Sequence, residues 1–175
     1  MKQKNIIQIH RYKSPCGDLI LGSFGNKLCL CDWVIEKHRS LIDNRLRRFF
    51  QADYEEMTSE IIEEAEKQLN EYFNRERTQF NIPLLFIGTA FQKNVWNKLL
   101  EIPYGKTVSY KELAEQLGME KAVRAVANAN GANAISIFVP CHRIIGSNNS
   151  LTGYGGGLTA KQFLLDLELN DKLLL

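Results

Sequence analysis

Residues 109–131 read SYKELAEQLGMEKAVRAVANANG, the most informative segment of the chain. Ser109 and Glu112 stand three residues apart, a hydroxyl and a carboxylate spaced for a capping box, so a helix begins beside Tyr110. Leu113, Ala114 and Leu117 share one side of it, and Gly118 ends it. Met119 and Glu120 form a turn, and a further helix runs from Lys121 to about Asn130. Two short helices joined by a glycine-containing turn make the pattern of a helix-turn-helix. The second helix is nearly bare. It carries Ala122, Ala125, Ala127, Ala129 and Gly131, with Arg124 as its long cation. Such a helix brings its backbone close to a partner, or packs tightly against another helix. Spacing alone leaves both open.

Outward from this core, Thr89 caps a preceding helix whose apolar face is Phe91, Val95, Trp96, Leu99 and Leu100, and Pro103 ends it. Downstream, residues 135–139 form an apolar run of strand length that ends at Pro140-Cys141-His142-Arg143. A glycine-rich loop follows, Gly153-Tyr154-Gly155-Gly156-Gly157, and an apolar helix runs from Lys161 to Leu169. The first 35 residues read as an antiparallel meander of about three strands, with turns at Ser14-Pro15-Cys16-Gly17-Asp18 and at Gly25-Asn26. Its third strand alternates Leu28, Leu30, Asp32 against Cys29, Cys31, Trp33, as in a half-buried strand. Residues 36–53 are charged and give no clean pattern. From Tyr54 to Phe73 the residues Met57, Ile61, Ile62, Ala65, Leu69, Tyr72 and Phe73 recur at helical spacing, a helix that covers the sheet. Residues 78–87 predict one more short strand around Pro83. The boundary between halves falls between Arg77 and Gly88, which gives domains 1–87 and 88–175.

The 175 residues, 45% apolar and 24% charged, have the profile of a globular protein. No apolar run approaches the about 18 residues of a membrane span. Behind Met1-Lys2-Gln3-Lys4-Asn5 there is no long apolar stretch, so a secretory signal is not expected. Four cysteines are too few for a disulfide scaffold, which predicts free thiols in a cytoplasmic setting. Net charge is only +2, but the segment from Phe91 to Lys161 holds eight basic and four acidic side chains. That mild excess suits a modest phosphate-binding face.

Cys141 is the first candidate for chemistry. A thiolate is a strong nucleophile, and neighbouring cations lower a cysteine pKa. Neighbours in an extended segment point to opposite sides, so His142 reaches the sulfur only through a sharp backbone turn or a bridging water. The alternative is a buried structural cysteine. The glycine run lacks the lysine-hydroxyl ending of a nucleotide-binding P-loop and by itself is only a loop. Cys29 and Cys31, with Cys16, His10 and His38, do not reproduce zinc-ligand spacing, so no metal is expected.

Together the pieces are more specific than any one of them. The stretch from Phe91 to Glu168 resembles the O6-alkylguanine-DNA alkyltransferases, also called methylated-DNA–protein-cysteine methyltransferases. The carriers are Phe91-Gln92-x-x-Val95-Trp96, Ile102-Pro103-x-Gly105-x-Thr107-x-Ser109-Tyr110, and Arg124-Ala125-Val126-Ala127. They continue with Asn133, Pro140-Cys141-His142-Arg143, Gly153-Tyr154-x-Gly156-Gly157-Leu158, Lys161, Leu164-Leu165 and Glu168. The resemblance implies an α+β protein. A small N-terminal antiparallel sheet with a covering helix (ribonuclease H-like) precedes a mainly helical, winged-helix-like domain.

It further implies direct repair of double-stranded DNA, by irreversible, single-use transfer of an alkyl group from guanine O6 to Cys141, with no cofactor and as a monomer. His142 and Glu168 would form a relay that deprotonates the thiol through water, and Tyr110 would donate to the leaving guanine. Arg124 would fill the gap left by a flipped base. Ser109, Ala125, Ala127 and Asn133 would belong to the DNA-facing helix-turn-helix and its link to the cysteine. Tyr110, Cys141, Ile144, Tyr154, Gly155 and Gly156 would hold the base. Ala134 replaces the proline of many members, and Gly155 the serine of some. The rivals are a DNA-recognition or regulatory helix-turn-helix protein without chemistry, and a cysteine hydrolase.

Overall fold

The computed structural model describes residues 4–35 and 37–170, with Asn170 described by its backbone alone. Three strands form the expected meander: β1 (Asn5–Ser14), β2 (Gly17–Phe24) and β3 (Lys27–Trp33). The β2–β3 turn uses Gly25 at φ 60°, a left-handed conformation that glycine adopts without strain. The sheet is not purely antiparallel. A fourth strand, β4 (Ala52–Glu56), adds parallel to β1, with Asn5 opposite Ala52 and Ile9 opposite Glu56, so the order is β3-β2-β1-β4.

The charged stretch without a pattern contains α1 (Arg39–Phe50). Ile42, Leu46 and Phe50, four residues apart, are buried, while Leu41 and Phe49 remain exposed and blur the periodicity. The helix predicted from Tyr54 begins later, as α2 (Glu60–Phe73), because Ser59 caps it by accepting from the Ile62 amide. Residues 54–56, helical by spacing, extend instead because β1 offers an unpaired edge.

Strand β3 is buried on both faces rather than one. Its outer edge is also occupied. The Leu28 amide donates to the Pro83 carbonyl and the Leu85 amide to the Leu28 carbonyl, a single bridge where a strand was expected. Further along, the Cys31 amide donates to the Ala134 carbonyl and the Ser136 amide to the Cys31 carbonyl. Residues 135–139 are therefore no strand. Ile137 sits at φ 72° and turns the chain back, so that the Val139 amide meets the Ile135 carbonyl.

The second half holds α3 (Ala90–Leu99), with a Thr89–Gln92 capping box, and α4 (Tyr110–Gln116), with the Ser109–Glu112 capping box. A 3-10 turn (Glu120–Ala122) leads into α5 (Val123–Gly131), and α6 (Leu158–Asn170) closes the fold. The helix-turn-helix is thus α4–turn–α5. Strands β5 (Val108–Ser109) and β6 (Ile144–Ile145) pair in parallel, fixing the start of α4 beside the segment after Cys141. Among the described residues no helix is long and apolar enough to cross a membrane.

Candidate active site

The bare helix packs one face inward and leaves the other exposed. Val126, Ala129 and Asn130 of α5 are buried, whereas Arg124, Ala125 and Asn128 face outward. Two side chains grip its C-terminal end from other elements. Trp96 Nε1 donates to the Ala129 carbonyl at 2.8 Å, and Arg45 of α1 donates to the Ala132 carbonyl at 2.8 Å. These satisfy carbonyls that a helix end leaves open.

The turn after α5 carries Asn133, which is buried and fully engaged. Its Oδ1 accepts from the Ile135 amide at 2.9 Å, and its Nδ2 donates to the Val139 carbonyl at 3.1 Å and to Cys141 Sγ at 3.3 Å. Asn133 thereby ties the end of the helix-turn-helix to the candidate nucleophile. Cys141 opens a 3-10 turn (Cys141–Arg143), so the backbone does turn sharply here. Cys141 is 7% exposed and lies on the wall of a cleft of about 490 Å³. Tyr110, Ala127, Asn133, Tyr154 and Gly155 line the same cleft, as do Asp32, His38 and Ile42 from the first half.

His142 turns away from this cleft into the interior. Its Nε2 lies 2.8 Å from Glu168 Oε1, and its Nδ1 is buried without a hydrogen-bond partner among the described residues. Since an ionised carboxylate only accepts, Nε2 carries the proton and Nδ1 the lone pair. Glu168, on α6, is fully buried and collects four more donors. Arg143 Nε and Nη2 reach it at 2.9 Å each, the Tyr72 hydroxyl at 2.8 Å and the Gly105 amide at 3.2 Å.

Burial alone would raise the Glu168 carboxyl, but His142 and Arg143 more than offset it and hold it well below the usual carboxylate range. Burial lowers the His142 imidazole despite Glu168, so it is neutral at pH 7.

Arg143 does not serve the sulfur as its sequence position suggested. It is committed to Glu168 and to the Ile102 carbonyl, at 2.7 Å. Burial pushes the Cys141 thiol up, while the Asn133 hydrogen bond and then the Lys161 charge pull it partly back. Lys161 is itself buried, and burial lowers it to about 8. Its ammonium donates to the carbonyls of Ile144 and Thr152. The Tyr110 hydroxyl reaches the Thr152 carbonyl at 3.3 Å, and burial raises its pKa, which keeps the phenol a donor.

Three anticipated residues do not line the cleft. Ile144 is buried behind the cleft, Gly156 packs on the Trp33 ring, and Ser109 acts as the cap of α4. Arg124 is exposed on α5, outside the cleft wall. Sequence inspection missed Tyr72, Lys161 as the cation nearest in effect to the sulfur, and the wall given by Asp32 and His38. Tyr72 reads as one more apolar residue on the covering face of α2, and nothing local marks its hydroxyl as a partner of a residue 96 positions away.

Residues 7–86 match the profile of the 6-O-methylguanine DNA methyltransferase ribonuclease-like domain, and residues 90–170 that of its DNA-binding domain. The methylated-DNA–protein-cysteine methyltransferase of Mycobacterium leprae is 54% identical over 168 residues, 96% of each chain. That of Methanosarcina barkeri is 43% identical over 159 residues, 91% of this chain and 95% of the relative. The crystal structure of Mycobacterium tuberculosis OGT in complex with DNA superposes with a TM-score of 0.80 at 40% identity, covering 95% of this chain and 94% of that one. With both halves matched in order and relatives this similar over at least 95% of their length, the chain belongs to the methylated-DNA–protein-cysteine methyltransferase family.

Proposed function

We propose that this protein reverses alkylation damage in DNA directly, by moving the alkyl carbon from guanine O6 to Cys141 Sγ. The observation that carries this is the pairing of one sulfur at a cleft wall with a buried imidazole–carboxylate pair behind it, directly after a helix-turn-helix. The Sγ–carbon bond forms as the carbon–O6 bond breaks, and the electron pair departs on guanine O6. His142 Nδ1, with its free lone pair, takes the thiol proton through a bound water. Glu168 holds the ring and stabilises the imidazolium that forms. The Tyr110 hydroxyl donates to the departing guanine. The product is a thioether, which cellular reductants do not cleave, so each molecule acts once and the step calls on no cofactor.

A base inside a duplex lies out of reach of this sulfur and is extruded, at a cost of a few kcal/mol. The exposed face of α5, with Ala125 and Asn128, approaches the groove, and Arg124 fills the gap left in the stack. Ala127 and Asn133 line the path from that helix to the sulfur, and Tyr154 and Gly155 flank the extruded base. The Cys141 backbone beside the sulfur completes its hold. Residues 88–175 form the reacting unit, and residues 1–87 support it. One copy holds every residue named, so the protein acts as a monomer. Its four cysteines are free thiols, as a cytoplasmic site would keep them.

Intact-mass measurement after incubation with O6-methylguanine duplex tests this. The expected result is a gain of one methylene per molecule, located on Cys141 and absent in Cys141→Ala, which still binds the duplex. Unmodified protein, or repeated turnover by one molecule, refutes it.

A further inference from the structure

The glycine-rich loop that faces the cleft is held from below by a residue of the other half of the chain. Trp33, the last residue of β3, is 2% exposed, and its indole packs closely against two glycines. A Cβ on Gly156 would stand 2.5 Å from Trp33 Cδ2 and Cε2, and one on Gly17 3.2 Å from Trp33 Cζ3. Tyr154 packs edge-on against the same ring, centroids 5.8 Å apart and planes at 69°. Two residues before Tyr154, Lys161 holds the Thr152 carbonyl. Residues 152–157 are thus suspended between Lys161 on one side and Trp33 on the other, and Tyr154 and Gly155 between those anchors line the cleft with Cys141.

We infer that Trp33 sets the position of this loop relative to Cys141, and so sets the size of alkyl group the cleft accepts. Trp33 is absent from the cleft wall itself, so it acts as a positioning residue through Gly156 and Tyr154. The inference rests on the alkyl-transfer reading above. The physical reason lies in interior packing. A buried ring with the backbone of Gly17 and Gly156 packed closely against it cannot shift without moving that backbone, whereas a loop of four glycines has little stiffness of its own.

The test uses full-length protein and single-turnover transfer from duplexes carrying O6-methylguanine or O6-benzylguanine. In Trp33→Ala the loop falls back, and the methyl-to-benzyl rate ratio drops by about tenfold, while affinity for undamaged duplex stays within about twofold of wild type. Trp33→Phe, which keeps an aromatic ring under Gly156, restores the ratio. Gly156→Ala tests the same contact from the loop side without removing a core side chain. It shifts the ratio by itself, and the Trp33→Ala/Gly156→Ala pair is no worse than Trp33→Ala, because the added Cβ enters the space the indole vacated. Equal slowing of both substrates, an unchanged ratio, or additive effects in the pair overturns the inference. Failure of wild type to label Cys141 with either substrate refutes the transfer reading instead.

Discussion

Glu168→Gln exchanges one oxygen for an amide group and keeps the shape. Its effect follows from the five hydrogen bonds the carboxylate accepts. Oε1 faces His142, Tyr72 and Arg143 Nη2, and Oε2 faces Arg143 Nε and the Gly105 amide. An amide NH2 cannot accept, so in either orientation it confronts at least two donors. The substitution also leaves the Arg143 guanidinium, 8% exposed, without its counter-charge. Removing one partner of a buried ion pair costs about 3–5 kcal/mol. For a chain of this length each kcal/mol shifts the melting midpoint by roughly 2–4 °C, so a fall of roughly 6–20 °C is expected. Transfer slows as well, because His142 loses the carboxylate that stabilises its imidazolium. Thermal melting by circular dichroism, with single-turnover transfer measured well below the transition, reads both. A Glu168→Gln protein that melts within about 2 °C of wild type and transfers at the same rate would refute the role assigned to this carboxylate.

The same group predicts an acid limit. Its folded pKa lies below the ordinary value of 4.5, so its contribution is full above that value and is lost as pH falls through it toward the folded value. Urea unfolding from pH 5 to pH 2 should show stability falling, with a shallower slope in Glu168→Gln. Asn133→Ala removes three buried hydrogen bonds, about 3 kcal/mol at about 1 kcal/mol each. It also removes the donor that favours the thiolate, so denaturant midpoint and transfer rate at neutral pH both fall. The thiol is raised and the imidazole lowered, so proton transfer between them makes the rate flat to within about twofold from pH 6.5 to 7.5, below the range where Lys161 loses its charge. A rise of about tenfold per pH unit would instead mark solvent-generated thiolate as the reactant. Arg124→Ala should slow transfer from duplex by at least roughly tenfold, the equivalent of about 1.4 kcal/mol. Transfer from free O6-benzylguanine should be spared, since that base needs no extrusion; equal slowing of both would contradict the assignment.

Local chemistry determined a good part of this protein. The capping boxes at Thr89 and Ser109 placed two helix starts, because a hydroxyl and a side-chain acceptor three residues on satisfy backbone amides whatever surrounds them. The turns at Gly17 and Gly25 likewise set the meander, and the spacing around Cys141 and Glu168 pointed to the chemistry. What the sequence could not decide depends on partners far along the chain. Residues 54–56 joined β4 only because the β1 edge was open, and residues 135–139 lost their strand because Cys31 takes a single bridge before Ile137 turns the chain away. Arg143 looked like the cation beside the sulfur, yet Glu168, 25 residues on, captured it and left that effect to Lys161. Tyr72 and Trp33 read as core residues and are core residues. Only packing of the first half against the second gives one a carboxylate to hold and the other a loop to support, since burial is visible in a pattern of side chains and the identity of the buried neighbour is not.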